Sequence, residues 1–210
     1  MEDVLDLYAE AATMPDPWRP LVCFDEQPLV LRSDAHAGQP CAPGRAARVG
    51  YEYVRKGTGC CLMAFAPIDG LRHVTVAEHR TGAEFAHAMQ HLADMCYPDA
   101  EVIRVVLDNL STHTAAALYK TFPPEEARRL ALKLELHYTP IHASWLNMAE
   151  LELAALTRQC LRRRLPDLST AKREVAAWER ERNYAGVGVT RRFTTAAART
   201  KLARLYPKLS

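Results

Sequence analysis

The stretch that decides the fold is Val102-Ile103-Arg104-Val105-Val106-Leu107. It is an almost continuous run of β-branched and aliphatic residues, and such a run is typical of a strand that is covered on both faces of a sheet. A carboxylate, Asp108, follows it directly. The sequence therefore predicts a central buried strand with an acidic residue at its end.

Before this run, apolar segments alternate with turn-forming residues. A short buried strand comes first, and residues 33–47, rich in Gly, Pro, Ala and His, are predicted to be a loop. Three later segments read as an antiparallel meander, with a turn at Gly57-Thr58-Gly59 and another at Pro67–Gly70. The predicted strands are Leu21–Phe24, Val49–Val54, Cys60–Ala66 and His73–Val76.

After the run, strands and helices alternate. Leu134–Tyr138 is predicted as a fifth strand, and helical spacing of apolar residues marks the remaining segments. This order predicts an α/β fold, a mixed five-stranded sheet with helices on both faces, which is the order of ribonuclease-H-like domains. One short helix is predicted to be capped by Ser111 or Thr112 and to end at Tyr119, and a long one is predicted to be capped by Ser144 and to run from Trp145 to Arg164. The other predicted helices are 2–12, Thr81 to Tyr97, Pro124–Lys133, 170–182 and 195–205.

Length and composition exclude several classes of protein. With 210 residues, 49% hydrophobic and 25% charged, the chain is neither disordered, collagenous nor a mini-protein. The longest nearly apolar run, Cys60–Ile68, is far shorter than the ~20 residues of a membrane span. The acidic N-terminus has no signal-peptide pattern, so we expect a cytoplasmic protein without a membrane partner.

The cysteines and the distribution of charge narrow the function further. The six cysteines form no Cys-x-x-Cys pair, which favours buried, reduced thiols over a zinc or redox site. Residues 151–210 hold 14 basic and 5 acidic residues, a net charge of +9. Such a segment suits a polyanion such as DNA, although charge alone also fits a solvated helical surface.

Three carboxylates occupy informative positions. Asp25 follows the first predicted strand, Asp108 follows the central strand, and Glu150 lies early on the helix after the fifth strand. Strand ends meet at one edge of a sheet, where clustered carboxylates repel one another unless a cation such as Mg²⁺ neutralises them. Each aspartate could instead be a turn former. Glu152, about 200° from Glu150 around the helix, is an open alternative for the third acid.

Three motifs and a tail segment carry a resemblance to a known family. Phe24-Asp25-Glu26-Gln27-Pro28, Leu107-Asp108-Asn109-Leu110-Ser111-Thr112-His113 and Ser144-Trp145-Leu146-Asn147-Met148-Ala149-Glu150 resemble the acidic motifs of DDE transposases, closest to the bacterial insertion-sequence branch of the mariner superfamily. Residues 192–207 resemble the C-terminal end of that branch. The spacing between Asp108 and Glu150, 41 residues, is longer than is common in mariner relatives.

The resemblance implies a catalytic site and a reaction. It implies that Asp25, Asp108 and Glu150 hold two Mg²⁺ or Mn²⁺ ions, with Glu150 rather than Glu152 as the third acid. Water would be activated to cut the transposon ends, and the freed 3′-hydroxyl would attack target DNA, usually at a TA step, without a covalent protein–DNA intermediate.

Supporting residues and partners also follow from the resemblance. Asn109 and Asn147 would support the carboxylates or a phosphate. His113 would approach the DNA backbone, or would be an ordinary residue of the first turn of a helix. The net charge of the basic segment, rather than the resemblance, predicts that Arg162, Arg163 and Arg164 contact phosphates. The implied partners are double-stranded DNA, as transposon ends and target, and a second copy of the chain in a homodimer; the implied location is the bacterial nucleoid.

The resemblance suggests three parts: an N-terminal helix and linker (1–20), a ribonuclease-H-like DDE catalytic domain (21–165) and a basic helical C-terminal extension of the same domain (166–210). Family members usually carry helix-turn-helix modules ahead of the catalytic domain, and none precedes Asp25 here. We therefore expect little sequence preference in DNA binding. Two alternatives to a transposase catalytic domain stay open: a non-catalytic fragment that regulates full-length transposase, and another ribonuclease-H-like nuclease.

Overall fold

A mixed five-stranded sheet organises the protein. The computed structural model describes residues 1–36, 38–39, 41–46, 50–141 and 143–205. The strand order is β3-β2-β1-β4-β5; the first three strands run antiparallel, whereas β1, β4 and β5 run parallel. This confirms the predicted mixed α/β sheet. The strands are β1 (Leu21–Asp34), β2 (Tyr53–Ala66), β3 (Leu71–Ala77), β4 (Ile103–Leu107) and β5 (Leu134–Tyr138).

Helices cover both faces of this sheet. One hydrophobic core lies between the sheet and helices α1, α5, α6 and α7, and the other lies under α2, α3 and α4. Two helices continue into π-helical turns, at Leu92–Cys96 after α2 and at Thr157–Leu161 after α5. The helices are α1 (Glu2–Thr13), α2 (Gly82–His91), α3 (Ala115–Thr121), α4 (Pro124–Lys133), α5 (Ala149–Leu156), α6 (Leu168–Tyr184) and α7 (Thr195–Lys201).

The pattern of apolar residues explains this two-sided arrangement. All five residues of β4 are buried, as the continuous run of aliphatic residues predicts for a central strand. In β1, Val22 and Phe24 enter the core under α2, whereas Cys23 between them enters the core under α1 and α5. Successive side chains of a strand point to opposite faces, so each apolar residue here has a core to enter.

The first two strands are longer than predicted. β1 continues through Pro28 to Asp34, and β2 passes without a break through Gly57–Gly59, where a turn was predicted. A register shift between Leu31 and Arg32 accommodates Gly57, whose φ is +126°. Glycine reaches this backbone angle without steric cost, so it marks a β-bulge here rather than a chain reversal. The predicted strand start at Val49 lies outside the described residues.

Helix starts were predicted with mixed success. Thr81 caps α2 by accepting from the amide of Ala83, and Pro124 opens α4, as predicted. Ser111 and Thr112 do not cap α3, which begins after Thr114. Ser144 opens a 3₁₀ turn (Ser144–Leu146), and the long helix predicted after it is divided into α5 and a π-helical turn.

The N-terminal helix is part of the core. Val4, Leu5 and Tyr8 are almost fully buried, and the Tyr8 hydroxyl donates to the carbonyl of Leu146 at 2.9 Å. Helix α1 therefore packs on the segment that leads into α5, whereas the predicted division into three parts stays a prediction. Within the described residues, none of the helices is long and apolar enough to cross a membrane.

Helix α6 lies along the outer edge of β3. The Glu179 carboxylate accepts from the backbone amide of Val74 at 2.9 Å, and the Asn183 side chain accepts from the amide of Arg72 at 2.9 Å. Residues four apart on one helix face thus meet alternate amides of an edge strand. These amides would otherwise be free to pair with another chain.

Candidate active site

Asp25 lies within β1 rather than after it, at the edge where the parallel strands end. Its Oδ1 accepts from the backbone amide of Glu26 at 2.7 Å. Burial raises the pKa of Asp25 to about 6, and the negative charges of Asp108 and Glu150 act in the same direction. The structure therefore brings these three predicted carboxylates close enough for the charges of Asp108 and Glu150 to act on Asp25.

Strand register places Asp108 beside Asp25. In the parallel pair of β1 and β4, Cys23 faces Val106, so each aspartate lies two residues beyond this pair on its own strand. Neighbouring strands are ~4.8 Å apart, and residues in equal register share one face. The position of Asp108 directly after β4 was predicted correctly from the sequence.

His113 is the buried partner of Asp108. Its side chain is fully buried between the rings of Phe24 and Phe85, and Nδ1 lies 2.6 Å from Oδ1 of Asp108. Its Nε2 lies 3.6 Å from the Glu26 carboxylate. The prediction that His113 approaches the DNA backbone does not fit this burial.

The charges around His113 decide its protonation. Burial alone would lower its pKa, but the hydrogen bond with Asp108 and the negative charges of Asp108 and Glu26 outweigh burial and raise the pKa to about 9. The hydrogen bond from His113 in turn lowers the pKa of Asp108. A protonated His113 therefore donates to Asp108 at neutral pH and holds one of its oxygens, leaving the other free for a ligand.

Asn147 joins the strand that carries Asp25 to the helix that carries Glu150. The side chain of Asn147 is buried; its amide donates to the carbonyl of Phe24 at 2.7 Å, and its Oδ1 accepts from the amide of Ala149 at 3.1 Å. Phe24 precedes Asp25, and Ala149 precedes Glu150. Asn147 therefore sets the position of two of the acids, a supporting role like the one that the sequence analysis proposed.

Glu152 has a different environment from Glu150. The Glu152 side chain is 2% exposed and forms ion pairs with Arg72 at 3.2 Å and with Arg182 at 2.7 Å. Glu150 is half-buried, and its charge acts on Asp25. Because Glu152 is held between two arginines, the structure separates the two glutamates that helical spacing alone left as alternatives.

The donor set of the three acids fits a pair of hard cations. Carboxylate oxygens are the ligands that Mg²⁺ and Mn²⁺ prefer. Among the described residues, these three acids do not form a group whose oxygens all lie within 4.8 Å of one another. Ligands shared between two ions ~4 Å apart need not do so, since oxygens on opposite ions are separated by up to roughly 8 Å.

The remaining predicted residues are placed in different ways. Asn109 is exposed, and its amide donates to the carbonyl of Thr139 at 2.6 Å, which ties the end of β4 to the end of β5. Arg163 forms an ion pair with Glu174, and Arg164 with Asp34. Arg162 and Arg163 are both exposed, and of the three only Arg162 has no ion pair within the described part of the chain.

Sequence reasoning missed the second layer of this site. Glu26 is almost buried and lies between His113 and Arg80, whose Nε is 3.1 Å from the Glu26 carboxylate. The available signal was that Glu26 directly follows Asp25 in the sequence. Its meaning depended on the burial of His113, which sequence spacing does not show.

These observations define a ribonuclease-H-like domain with three acids and a buried histidine where β1 and β4 lie side by side. The profile of the DDE superfamily endonuclease family matches residues 20–172, and the chain belongs to that family. The search of curated proteins found no match.

Solved structures with the same fold include those of a mariner transposase. The Mos1 mariner paired end complex with Mn matches with a TM-score of 0.57 at 15% identity, over 89% of this chain and 56% of that chain. The pre-cleavage Mos1 transpososome matches with a TM-score of 0.59 at 11% identity, over 100% of this chain and 62% of that chain. This chain thus spans little more than half the length of those proteins, and at these identities the likeness shows the fold, as predicted.

Exchanging His113 tests its hydrogen bond with Asp108. His113→Asn keeps a donor near the Nδ1 position, whereas His113→Gln moves the donor to the Nε2 position, towards Glu26. We expect His113→Gln to lower the rate of DNA cleavage at least about tenfold, which corresponds to ~1.4 kcal/mol, and His113→Asn to lower it less. Cleavage rates measured over a range of Mg²⁺ concentrations, with unfolding temperatures for both variants, check this. Equal losses in the two variants would contradict a role in orienting Asp108.

Proposed function

We propose that this chain is the catalytic domain of a DNA transposase of the insertion-sequence branch of the mariner superfamily, acting on bacterial chromosomal DNA. The observation that carries the proposal is the meeting of Asp25, Asp108 and Glu150 at one edge of a ribonuclease-H-like sheet. Membership of the DDE superfamily endonucleases supports a nuclease, and the fold shared with Mos1 supports the more specific assignment to a transposase of the mariner superfamily.

In this proposal the three acids hold two Mg²⁺ or Mn²⁺ ions. When bound, such ions activate a water or hydroxyl nucleophile and stabilise the leaving oxygen of a phosphodiester. Burial raises the pKa of Asp25, and the negative charges of Asp108 and Glu150 add to this effect; cations bound here would neutralise that excess of negative charge.

The other residues of the site position these ligands. Protonated His113 holds Asp108 in one orientation through the 2.6 Å hydrogen bond. Asn147 keeps the backbone ahead of Asp25 at a constant distance from the start of α5. Asn109 fixes the loop that follows Asp108 to the end of β5. Ligands held in this way lose little conformational entropy when a substrate phosphate arrives.

A strand-transfer assay tests the proposal without knowledge of the element's end sequences. The chain is incubated with a labelled duplex that carries a free 3′-hydroxyl and with supercoiled plasmid, in the presence of Mg²⁺, of Mn²⁺ or of a chelator. We expect nicked plasmid and covalently joined product with either metal and neither product with the chelator. Absence of both products with both metals would contradict the proposed function.

A nuclease without joining activity is the second candidate, and the endonuclease description of the family favours it. The same assay separates the two candidates. Plasmid nicking with no joined duplex would select the nuclease. A protein that binds DNA but neither nicks nor joins would select the non-catalytic regulator.

DNA would bind partly through the basic segment, but fewer arginines are available than its charge indicates. Arg163 and Arg164 already form ion pairs, whereas Arg158 and Arg162, four residues apart, are exposed and have no ion pair within the described residues. We therefore assign phosphate contacts to Arg158 and Arg162. A homodimer, as in the sequence-based prediction, would double the number of such contacts.

The salt dependence of DNA binding tests this assignment. Each phosphate contact contributes about 0.9 to the slope of log K against log salt concentration, so Arg158→Ala with Arg162→Ala is expected to reduce the slope by up to ~2. Arg163→Ala is the matched control, because its charge is already compensated by Glu174. Fluorescence anisotropy on one duplex over a salt series measures both slopes. A larger reduction in the control than in the double variant would contradict the assignment.

A further inference from the structure

A second cluster of metal-ligating side chains lies away from the three acids. His73, His91 and Cys96 each offer a ligand atom, and these three atoms all lie within 4.8 Å of one another. Within the described residues no other group of at least three histidines, cysteines or acids meets this distance. The rings of His73 and His91 are stacked, with their centroids 4.1 Å apart.

The sheet places this cluster on a different face from Asp25. In the antiparallel register Phe24 faces Ala64, and Ala64 faces His73, so His73 lies two strands, or roughly 10 Å, from β1. Directly paired residues share a face, and Phe24 and Ala64 both enter the core under α2. His73 therefore lies on the α2 side, whereas Asp25 belongs to the alternate set of residues that faces α1 and α5.

A π-helical turn aligns the other two ligands. In a regular α-helix, residues five apart differ by about 140° around the axis, which would separate His91 from Cys96. After His91 the helix changes to π-helical hydrogen bonding, and the amide of Tyr97 donates to the carbonyl of Leu92 at 3.0 Å. Because π-helical bonding joins residues five apart, Cys96 lies over the same face as His91.

Glu179 of α6 lies beside this set and offers a fourth ligand, and it stands outside the group of three whose atoms all lie within 4.8 Å of one another. Its Oε1 lies 3.5 Å from Nδ1 of His73, and its charge acts on both His91 and Cys96. Two ligand atoms of one tetrahedral zinc ion are ~3.3–3.8 Å apart, given Zn–N and Zn–O distances of ~2.0–2.2 Å and Zn–S of ~2.3 Å. The separation of Glu179 and His73 is already in this range.

We propose that His73, His91, Cys96 and Glu179 bind one Zn²⁺ ion in a structural site. Imidazole, thiolate and carboxylate groups are all established zinc ligands. The sulfur and the imidazole nitrogens suit zinc better than magnesium, which prefers oxygen ligands. The ligands come from β3, from α2 with its π-helical turn, and from α6. The ion would therefore join α6 and α2 across the outer edge of β3.

Cobalt serves as the spectroscopic probe for this site. Chain stripped of metal with a chelator is titrated with Co²⁺ in excess Mg²⁺, which occupies the oxygen ligands of the three acids. We expect one equivalent of Co²⁺ to produce a thiolate-to-cobalt charge-transfer band that Zn²⁺ abolishes by displacement. Cys96→Ser should lose this band, and Cys41→Ser, at the other exposed cysteine of the described chain, should keep it.

Thermal unfolding gives a second and independent measurement. Zn²⁺ should raise the unfolding temperature of the unmodified chain and of Cys41→Ser, and should leave that of Cys96→Ser unchanged. Glu179→Gln should weaken Zn²⁺ affinity about tenfold or more, while its amide oxygen can still accept from Val74. A chain without the band, or a Cys96→Ser variant that keeps it, would overturn the proposal. An unchanged affinity in Glu179→Gln would overturn the assignment of the fourth ligand.

Discussion

Asp108→Asn is expected to lower the rate of DNA cleavage and joining at least about 1,000-fold, which corresponds to ~4 kcal/mol in the barrier. The amide keeps the shape of the side chain and can still accept from His113, but it removes the charge that would hold a divalent cation beside Asp25. The strand-transfer assay with Mg²⁺ and with Mn²⁺ measures the loss. Because the change is local, circular dichroism should show an unaltered fold.

Asp99→Asn is the matched control for this variant. Asp99 undergoes the same chemical change at an exposed position near the start of β4, far along the strand from the site. We expect its activity to stay within about twofold of the unmodified chain. If Asp108→Asn kept a tenth or more of the activity while remaining folded, Asp108 could not be a metal ligand of the reaction.

Glu152→Ala is expected to lower the free energy of unfolding by about 3–5 kcal/mol. The substitution leaves Arg72, which is buried, without its carboxylate partner, and breaking a buried ion pair from one side is costly for that reason. For a chain of this length, the unfolding temperature should fall by roughly 6–20 °C. Thermal unfolding followed by circular dichroism checks this value.

Glu150→Gln, on the same helix, is expected to affect activity and not stability. Glu150 is half-buried and has no ion pair among the described residues, so its substitution should change the free energy of unfolding by less than about 0.5 kcal/mol. In the proposed function it should nevertheless abolish cleavage. A Glu150→Gln variant that is active, or a Glu152→Ala variant that is as stable as the unmodified chain, would show that the roles of the two glutamates had been assigned wrongly.

The parts of the fold that depend on local pattern were predictable. The run of aliphatic residues that forms β4, the cap at Thr81 and the helix start at Pro124 depend on neighbouring residues, and the structure confirms them. The length of β2 was not predictable, because Gly57–Gly59 has the composition of a turn. Pairing with β1 keeps this segment extended, and that pairing is a tertiary interaction.

The candidate site was likewise predictable only where it depends on local sequence. The approach of Asp25 and Asp108 at one edge was expected from the rule that the ends of neighbouring strands meet, but Asp25 lies within β1 rather than at its end. Glu150 could be separated from Glu152 only by resemblance, since both arginine partners of Glu152 are distant in sequence. His113 was placed at the DNA by resemblance, whereas its burial between two phenylalanines depends on packing across the sheet.

The prediction that the cysteines are buried, reduced thiols was only partly right, because contacts between residues distant in sequence are not visible in cysteine spacing. All six are free, but Cys41 and Cys96 are exposed. The cluster at Cys96 has no sequence spacing typical of zinc sites, because its members come from a strand and two helices, and because a π-helical turn changes which residues share a face. Spacing rules that assume regular helices miss such a site.

The contact of α6 with β3 limits how copies of this protein can associate. An edge strand with free amides invites another chain to continue the sheet, which leads to fibrillar aggregates or to dimers that share one continuous sheet. Here the side chains of Glu179 and Asn183 already accept from the amides of Val74 and Arg72. Strand addition at Arg72 and Val74 is therefore disfavoured, and a homodimer of the kind proposed above would use a surface other than this part of the β3 edge.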